Sequence, residues 1–82
     1  MEKKIGEVTH YFDHIPAGII KLAGALEKGN KVRFKGATTD FTQEITSMQV
    51  DHADIEKGKK GDEVGVKVKE RVREGDEVLL VG

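Results

Sequence analysis

The feature that most constrains this chain is a five-residue phrase that occurs three times. It reads charged residue, glycine, Asn or Asp, charged residue, valine, and it occupies residues 28–32, 60–64 and 74–78. The unequal intervals exclude a tandem array, which would show one constant period. Glycine reaches positive φ at low cost, and the Asn or Asp that follows can hydrogen-bond within a turn. We therefore predict that Gly29, Gly61 and Gly75 are structural turns, each of which starts a strand.

Apolar residues elsewhere recur mainly at every second position, which is typical of strands. Val64, Val66 and Val68 follow this pattern, and the four apolar residues at 78–81 predict a last strand buried on both faces. Breaks in the pattern within 5–8 and 45–48 predict bulges in strands at about 5–12 and 41–52, and residues 54–57 are predicted to form a helical turn. Six short strands in 82 residues predict one domain, residues 1–82, folded as an all-β, small six-stranded antiparallel β-barrel.

Composition restricts the chemistry and the cellular setting. The chain has no cysteine, so disulfides, thiolate metal sites and a cysteine nucleophile are not expected. It has no long apolar run and no signal peptide, so we predict a cytoplasmic protein that does not associate with membranes. Charged residues make up 35% of the chain, a balance typical of proteins from hot environments.

The order of the turn and strand motifs resembles the second domain of translational GTPases such as elongation factor Tu. The motifs that carry the resemblance are Gly18–Leu22, Leu26–Val32, Ile45–Met48, Gly61–Gly65 and Gly75–Leu79, within a match over about residues 5–81. The resemblance implies a β-barrel of the translation-protein type. The chain is similar to short stand-alone elongation factor-like proteins, and also to the C-terminal barrel of the collagenase-like peptidase family, whose relatives modify RNA. A phosphate-binding loop of the G-x-x-x-x-G-K-[ST] type is absent, so neither nucleoside triphosphate binding nor GTPase activity is expected.

A row of basic residues is the first candidate RNA-binding feature. If the strand that begins at Val64 continues, these side chains share one face at intervals of about 6.6 Å, and residues of another strand extend the row. Such a row could follow a phosphate backbone. The alternative is that they are solvated outward positions whose charges protect a strand edge. The candidates are Lys67, Lys69, Arg71 and Arg73, extended by Arg33 and Lys35.

A second candidate follows from the resemblance to elongation factor Tu, whose corresponding loop helps to hold the aminoacyl end of tRNA. The matching loop here is 56–61, and Lys57 replaces an acidic residue of the factors. Together with Lys59 and Lys60 it could contact RNA generically, or it could belong to a charged turn exposed to water. Tyr11 is predicted to be the exposed member of the Tyr11–Phe12 pair and to offer a stacking surface for a base.

Other arrangements do not support catalysis. His10 and His14 would lie about 13 Å apart on a strand, too far for one metal ion, and Ser47 lacks the glycines of a nucleophile elbow. We therefore expect no enzyme, no metal and no cofactor. The leading hypothesis is a non-catalytic β-barrel binding module that contacts RNA, tRNA or a ribosome-associated protein. The alternative is a protein-interaction or structural module beside a partner enzyme, such as an RNA modifier of the collagenase-like peptidase family.

Overall fold

The computed structural model describes residues 2–14, 16–51 and 53–81. Within these ranges the chain forms ten strands and no helix. In chain order they are β1 (Glu2–Phe12), β2 (Ala17–Leu22), β3 (Leu26–Glu27), β4 (Lys31–Lys35), β5 (Asp40–Glu44), β6 (Met48–Val50), β7 (Ala53–Ile55), β8 (Lys57–Gly58), β9 (Glu63–Lys67) and β10 (Glu77–Val81).

Eight strands form one curled sheet in the order β5-β4-β10-β1-β2-β9-β6-β7, and β3 pairs with β8. Every pairing is antiparallel. The inward side chains meet in one apolar core, in which Phe34 stacks on Phe41 with ring centroids 5.1 Å apart. The predicted all-β antiparallel fold is confirmed.

Some details of the prediction are wrong. The strands within the described ranges number more than six, because residues 45–47 divide the predicted strand 41–52 and because three strands are too short to show a period; His52 lies outside the described residues. The predicted helical turn at 54–57 instead contains the end of β7 and the start of β8. The prediction leaves closure of the barrel open. Within the described residues β5 and β7 end the sheet without pairing with each other, so no closed barrel is found and the barrel type stays a prediction.

The sequence predicts a bulge within residues 5–8 of strand β1, and the strand contains two irregularities, one at the start of this interval and one just beyond it. Its register against β10 shifts between Lys4 and Gly6, and its register against β2 shifts between Val8 and His10. Bulges of this kind bend a strand and increase its twist. They let one long strand curve between β10 and β2.

The three repeated phrases adopt one turn geometry. Gly29, Gly61 and Gly75 have φ values of 93°, 94° and 91°, as the third position of a type II turn requires. The next residue donates its backbone N–H to the carbonyl three positions earlier, at 3.0 to 3.1 Å. Its side-chain oxygen accepts a hydrogen bond from the N–H of that same earlier residue, at 2.8 to 3.1 Å. The predicted turns are confirmed.

Each turn also binds a buried aliphatic residue elsewhere in the chain. The N–H of the turn glycine donates to the carbonyl of that aliphatic residue. The N–H of the aliphatic residue donates in return to the carbonyl of the turn Asn or Asp. All six hydrogen bonds are 2.7 or 2.8 Å long. We call this arrangement a turn clamp. The three aliphatic partners are at most 2% exposed. The clamps join Gly29-Asn30 to Ile45, Gly61-Asp62 to Leu22, and Gly75-Asp76 to Val8.

A side chain connects the sheet edge at β5 to the end of β9. The amide of Gln43 donates from Nε2 to the carbonyl of Lys67 at 2.7 Å and accepts at Oε1 from the N–H of Lys69 at 2.8 Å. One side chain thus supplies the donor and acceptor that a neighbouring strand would supply.

We predict that Gly75→Ala lowers the free energy of unfolding by about 1 to 2 kcal/mol, since only glycine adopts this φ at low cost. An added Cβ would have no atom within 4 Å, so the loss would report backbone strain alone. Gly75→Asn should lose less, because Asn tolerates positive φ better. Urea denaturation measures the difference. Gly24→Ala is the control, since its Cβ would meet only Ile5 at 3.8 Å, and a loss there as large as at Gly75 would contradict the explanation.

We also predict that Gln43→Ala accelerates hydrogen exchange at the Lys69 amide by about ten-fold, the effect of losing one hydrogen bond. The control is Gln49→Ala, which removes an exposed amide that bonds Asp54. Exchange measured by NMR should change at Lys69 in the first variant only. Equal Lys69 exchange in both variants would show that the Gln43 bridge does not hold this segment.

Candidate functional site

An outward groove of about 720 Å³ lies over β2, β9 and β6. The strand register aligns its floor, because Ile19 pairs with Gly65 and Gly65 pairs with Gln49. A second row is centred on Ala17, which pairs with Phe12 of β1 on one side and with Lys67 of β9 on the other. The groove therefore crosses neighbouring strands on one face of the sheet.

Gly65 produces the depression in this face. A Cβ built there would lie 3.4 Å from Ile19 Cδ1 and 3.8 Å from the Gln49 carbonyl oxygen, so a larger side chain would occupy the floor. Phe12 lines the groove and is 42% exposed, the one large apolar side chain so exposed among the residues described. The ring of His10 packs against it with centroids 4.5 Å apart. An apolar floor beside an exposed aromatic ring suits an apolar side chain of another molecule.

Charged residues lie at both ends of the groove. Glu63 and Lys67 are the first and last residues of β9, on the same outward face as Gly65. Asp51 follows β6, and the pairing of Gln49 with Gly65 brings it to the level of Glu63. Lys21 pairs with Glu63 in the sheet. No ion pair involves Glu63, Asp51 or Lys67 in the part of the chain that the structure describes.

The predicted basic row does not form one straight face. Strand β9 ends at Lys67. The Val68 N–H still donates to the Pro16 carbonyl, in register with the pairing of Lys67 and Ala17. The chain then bends at residues 69 and 70, where the Lys69 N–H donates to Gln43. Lys69, Arg71 and Arg73 are exposed in a segment outside the strands. The prediction that these basic side chains share one strand face at regular intervals is therefore wrong. Their contact with RNA stays a prediction.

The expected exposure of Tyr11 is also wrong. Tyr11 pairs with Gly18 and packs against the core, whereas Phe12 faces the groove. The bulge between Val8 and His10 changes which side chains of β1 face inward. Arg71 lies over the Tyr11 ring, 5.9 Å from its centroid, within cation–π range.

Arg33 forms a bridge between two carboxylates. Its Nε and Nη2 donate to Asp40 at 2.7 and 2.8 Å, and its Nη1 donates to Glu2 at 3.1 Å. The hydrogen bonds that Arg33 donates, first to Asp40 and then to Glu2, raise the pKa of Arg33, and the bond to Asp40 lowers the pKa of that carboxyl group. The bridge extends from β5 to β1 and commits Arg33 to protein carboxylates, while Lys35 is exposed at the end of β4.

The predicted loop lysines lie apart from the residues that line the groove. Lys57 belongs to β8 and its Nζ is 3.9 Å from a carboxylate oxygen of Glu27. Lys59 and Lys60 are exposed in the second turn clamp. Their contact with RNA stays a prediction.

The described residues 2–14, 16–51 and 53–81 contain no group of three or more His, Asp or Glu side chains placed to hold a metal ion. They also contain no helix long and apolar enough to cross a membrane.

Comparison with known proteins identifies a sequence relative and several similar solved structures, of which two are described below. No family model matches the chain. An uncharacterized protease of Methanocaldococcus jannaschii is 39% identical over 79 residues, which are 95% of this chain and 19% of the relative. The chain thus spans about one fifth of that relative's length.

Both crystal structures are of the C-terminal domain of a Geobacillus thermoleovorans protein assigned to the U32 peptidases. The native form gives a TM-score of 0.91 at 18% identity and covers 98% of this chain and 93% of that domain. The selenomethionine form gives 0.89 at 19% identity and covers 93% and 96%. The fold is therefore that of this C-terminal domain.

These matches correct the predicted resemblance. Kinship to the second domain of elongation factor Tu, and with it the translation-factor interpretation, is wrong, since the matches are a protease and a U32 peptidase domain. Three of the five motifs contain the turns of the clamps, and the other two contain the clamp partners Leu22 and Ile45. Small antiparallel sheets can share such turns without a common function. The alternative, a module that works beside a peptidase-family enzyme, agrees better with the matches.

The Arg33 bridge predicts a specific pH dependence. The pKa of Asp40 is lowered from its ordinary value of 3.8, so the bridge stabilises the fold above that pH and loses this contribution as the pH falls through the lowered pKa. The difference in free energy of unfolding between the wild type and Asp40→Asn should shrink from about pH 6 to about pH 2. Urea denaturation across this range measures it. A difference that stays constant would show that the ion pair contributes no pH-dependent stability.

Proposed function

We propose that the chain is a non-catalytic docking domain of the U32 peptidase family, which binds a catalytic polypeptide through the groove over β2, β9 and β6. The observation that carries the proposal is the agreement with a U32 C-terminal domain over nearly the whole of both chains. The relative of 39% identity supports it, because there the matching segment is about one fifth of a larger protease.

The groove favours a protein partner over a nucleic acid. Its floor is apolar at Ile19 and Gly65, it contains the exposed ring of Phe12, and two carboxylates and one lysine line it. Protein interfaces combine a buried apolar centre with charged groups at the rim. A surface for RNA would need a more uniformly basic character, because phosphate contacts supply most of the affinity.

A non-catalytic role agrees with the side chains at the groove. Ser47 lines it, and within the described residues Ser47 forms no side-chain hydrogen bond with a histidine that could activate it. In this proposal the fold acts as a barrel that closes through the Gln43 bridge, because the bridge joins the β5 edge to the end of β9. A rigid support of this kind suits a domain that presents one face to a partner.

The test is binding to the Methanocaldococcus jannaschii relative from which the matching segment has been removed. Isothermal titration should show saturable binding that changes little with moderate salt. Phe12→Ser should weaken it at least about five-fold, because a buried aromatic anchor contributes more than about 1 kcal/mol. Lys60→Ser, outside the groove, is the matched control and should leave the affinity unchanged.

Two outcomes would contradict the proposal. One is absence of binding at any salt concentration. The other is salt-sensitive binding of RNA by the chain, lost on Lys69→Glu with Arg71→Glu and unaffected by Phe12→Ser, which would favour the nucleic-acid hypothesis.

A further inference from the structure

The outward face of β9 presents two charged side chains and one glycine at alternate positions. They are a carboxylate at Glu63, no side chain at Gly65 and an ammonium at Lys67. Residues two apart on a strand lie about 6.6 Å from each other. All three positions line the groove, which therefore has a negative end, an apolar depression and a positive end.

The neighbouring strands strengthen this pattern. Asp51 adds a second carboxylate at the Glu63 end, and Lys21 is the cation beside it. Ile19 and Phe12 supply the apolar walls near the centre and at the Lys67 end. Two carboxylates thus line the negative end, with Lys21 beside Glu63 on the neighbouring strand but outside the lining of the groove. The positive end contains Lys67 beside the uncharged Ala17.

We infer that the occupant of the groove is an extended segment of the partner polypeptide with the pattern acidic, any residue, apolar, any residue, basic. In an extended segment the first, third and fifth side chains share one face with the same spacing as the three positions of β9. The acidic side chain then pairs with Lys67, the apolar one fills the depression over Gly65, and the basic one contacts Glu63 and Asp51. Gly65 determines specificity, because its missing side chain provides the space. This inference rests on the proposed docking function and specifies the partner's chemistry.

The probes are three fluorescent peptides with acetylated and amidated ends: Glu-Ser-Leu-Ser-Arg, Glu-Ser-Leu-Ser-Glu and Arg-Ser-Leu-Ser-Arg. Fluorescence anisotropy with the full chain should show that the mixed-charge peptide binds at least about three-fold more tightly than the other two, as expected for exposed ion pairs. The double variant Glu63→Lys, Asp51→Asn should instead prefer the peptide with two glutamates. Gly65→Leu should weaken all three, since it fills the depression, and circular dichroism checks that each variant is folded.

Equal affinity for the three peptides, or binding of none at millimolar concentration, would overturn the inference. An unchanged preference in the double variant would overturn it as well. These results are distinct from failure of the proposed function, which is absence of binding to the truncated relative. If that protein binds and Phe12→Ser weakens the complex while the peptides show no preference, the docking function stands and the charge pattern is wrong.

Discussion

The turn clamp is the interaction on which the rest of the structure depends. It joins a type II turn, an Asn or Asp that caps it, and a buried aliphatic residue on a distant segment through short backbone hydrogen bonds. Three clamps bind Val8, Leu22 and Ile45, so local turn geometry and core formation are coupled. An 82-residue chain buries a limited share of its surface, and this coupling satisfies backbone groups that burial would otherwise leave unpaired.

The clamp at Gly61-Asp62 also determines the groove. It fixes the start of β9, so Val64 and Val66 point into the core and Glu63, Gly65 and Lys67 point outward. A shift of one residue would reverse every side chain of the strand. The Gly61-Asp62 turn therefore has an architectural role. The groove that depends on it begins at the next residue, Glu63.

Much of the fold could be predicted from the sequence, because its determinants are local. Glycine followed by Asn or Asp specifies the turns, and alternation of valines specifies β9. The short pairing of β3 with β8 and the Gln43 bridge could not be predicted, since they join residues distant in sequence and have no period. The groove was missed for the same reason, although a glycine in the middle of a strand, Gly65, was a signal that could have indicated it. The exposure of Phe12 instead of Tyr11 depends on a bulge whose position alternation alone does not specify.

The most direct test of the groove as the docking surface is chemical-shift mapping of the backbone amides while the truncated Methanocaldococcus jannaschii relative is added. The largest changes should fall on residues that line the groove on one face of the sheet, namely Phe12, Ile19, Gln49 and Gly65. Largest changes at residues 57–60 or 69–73 would contradict this location and point to the basic segments instead.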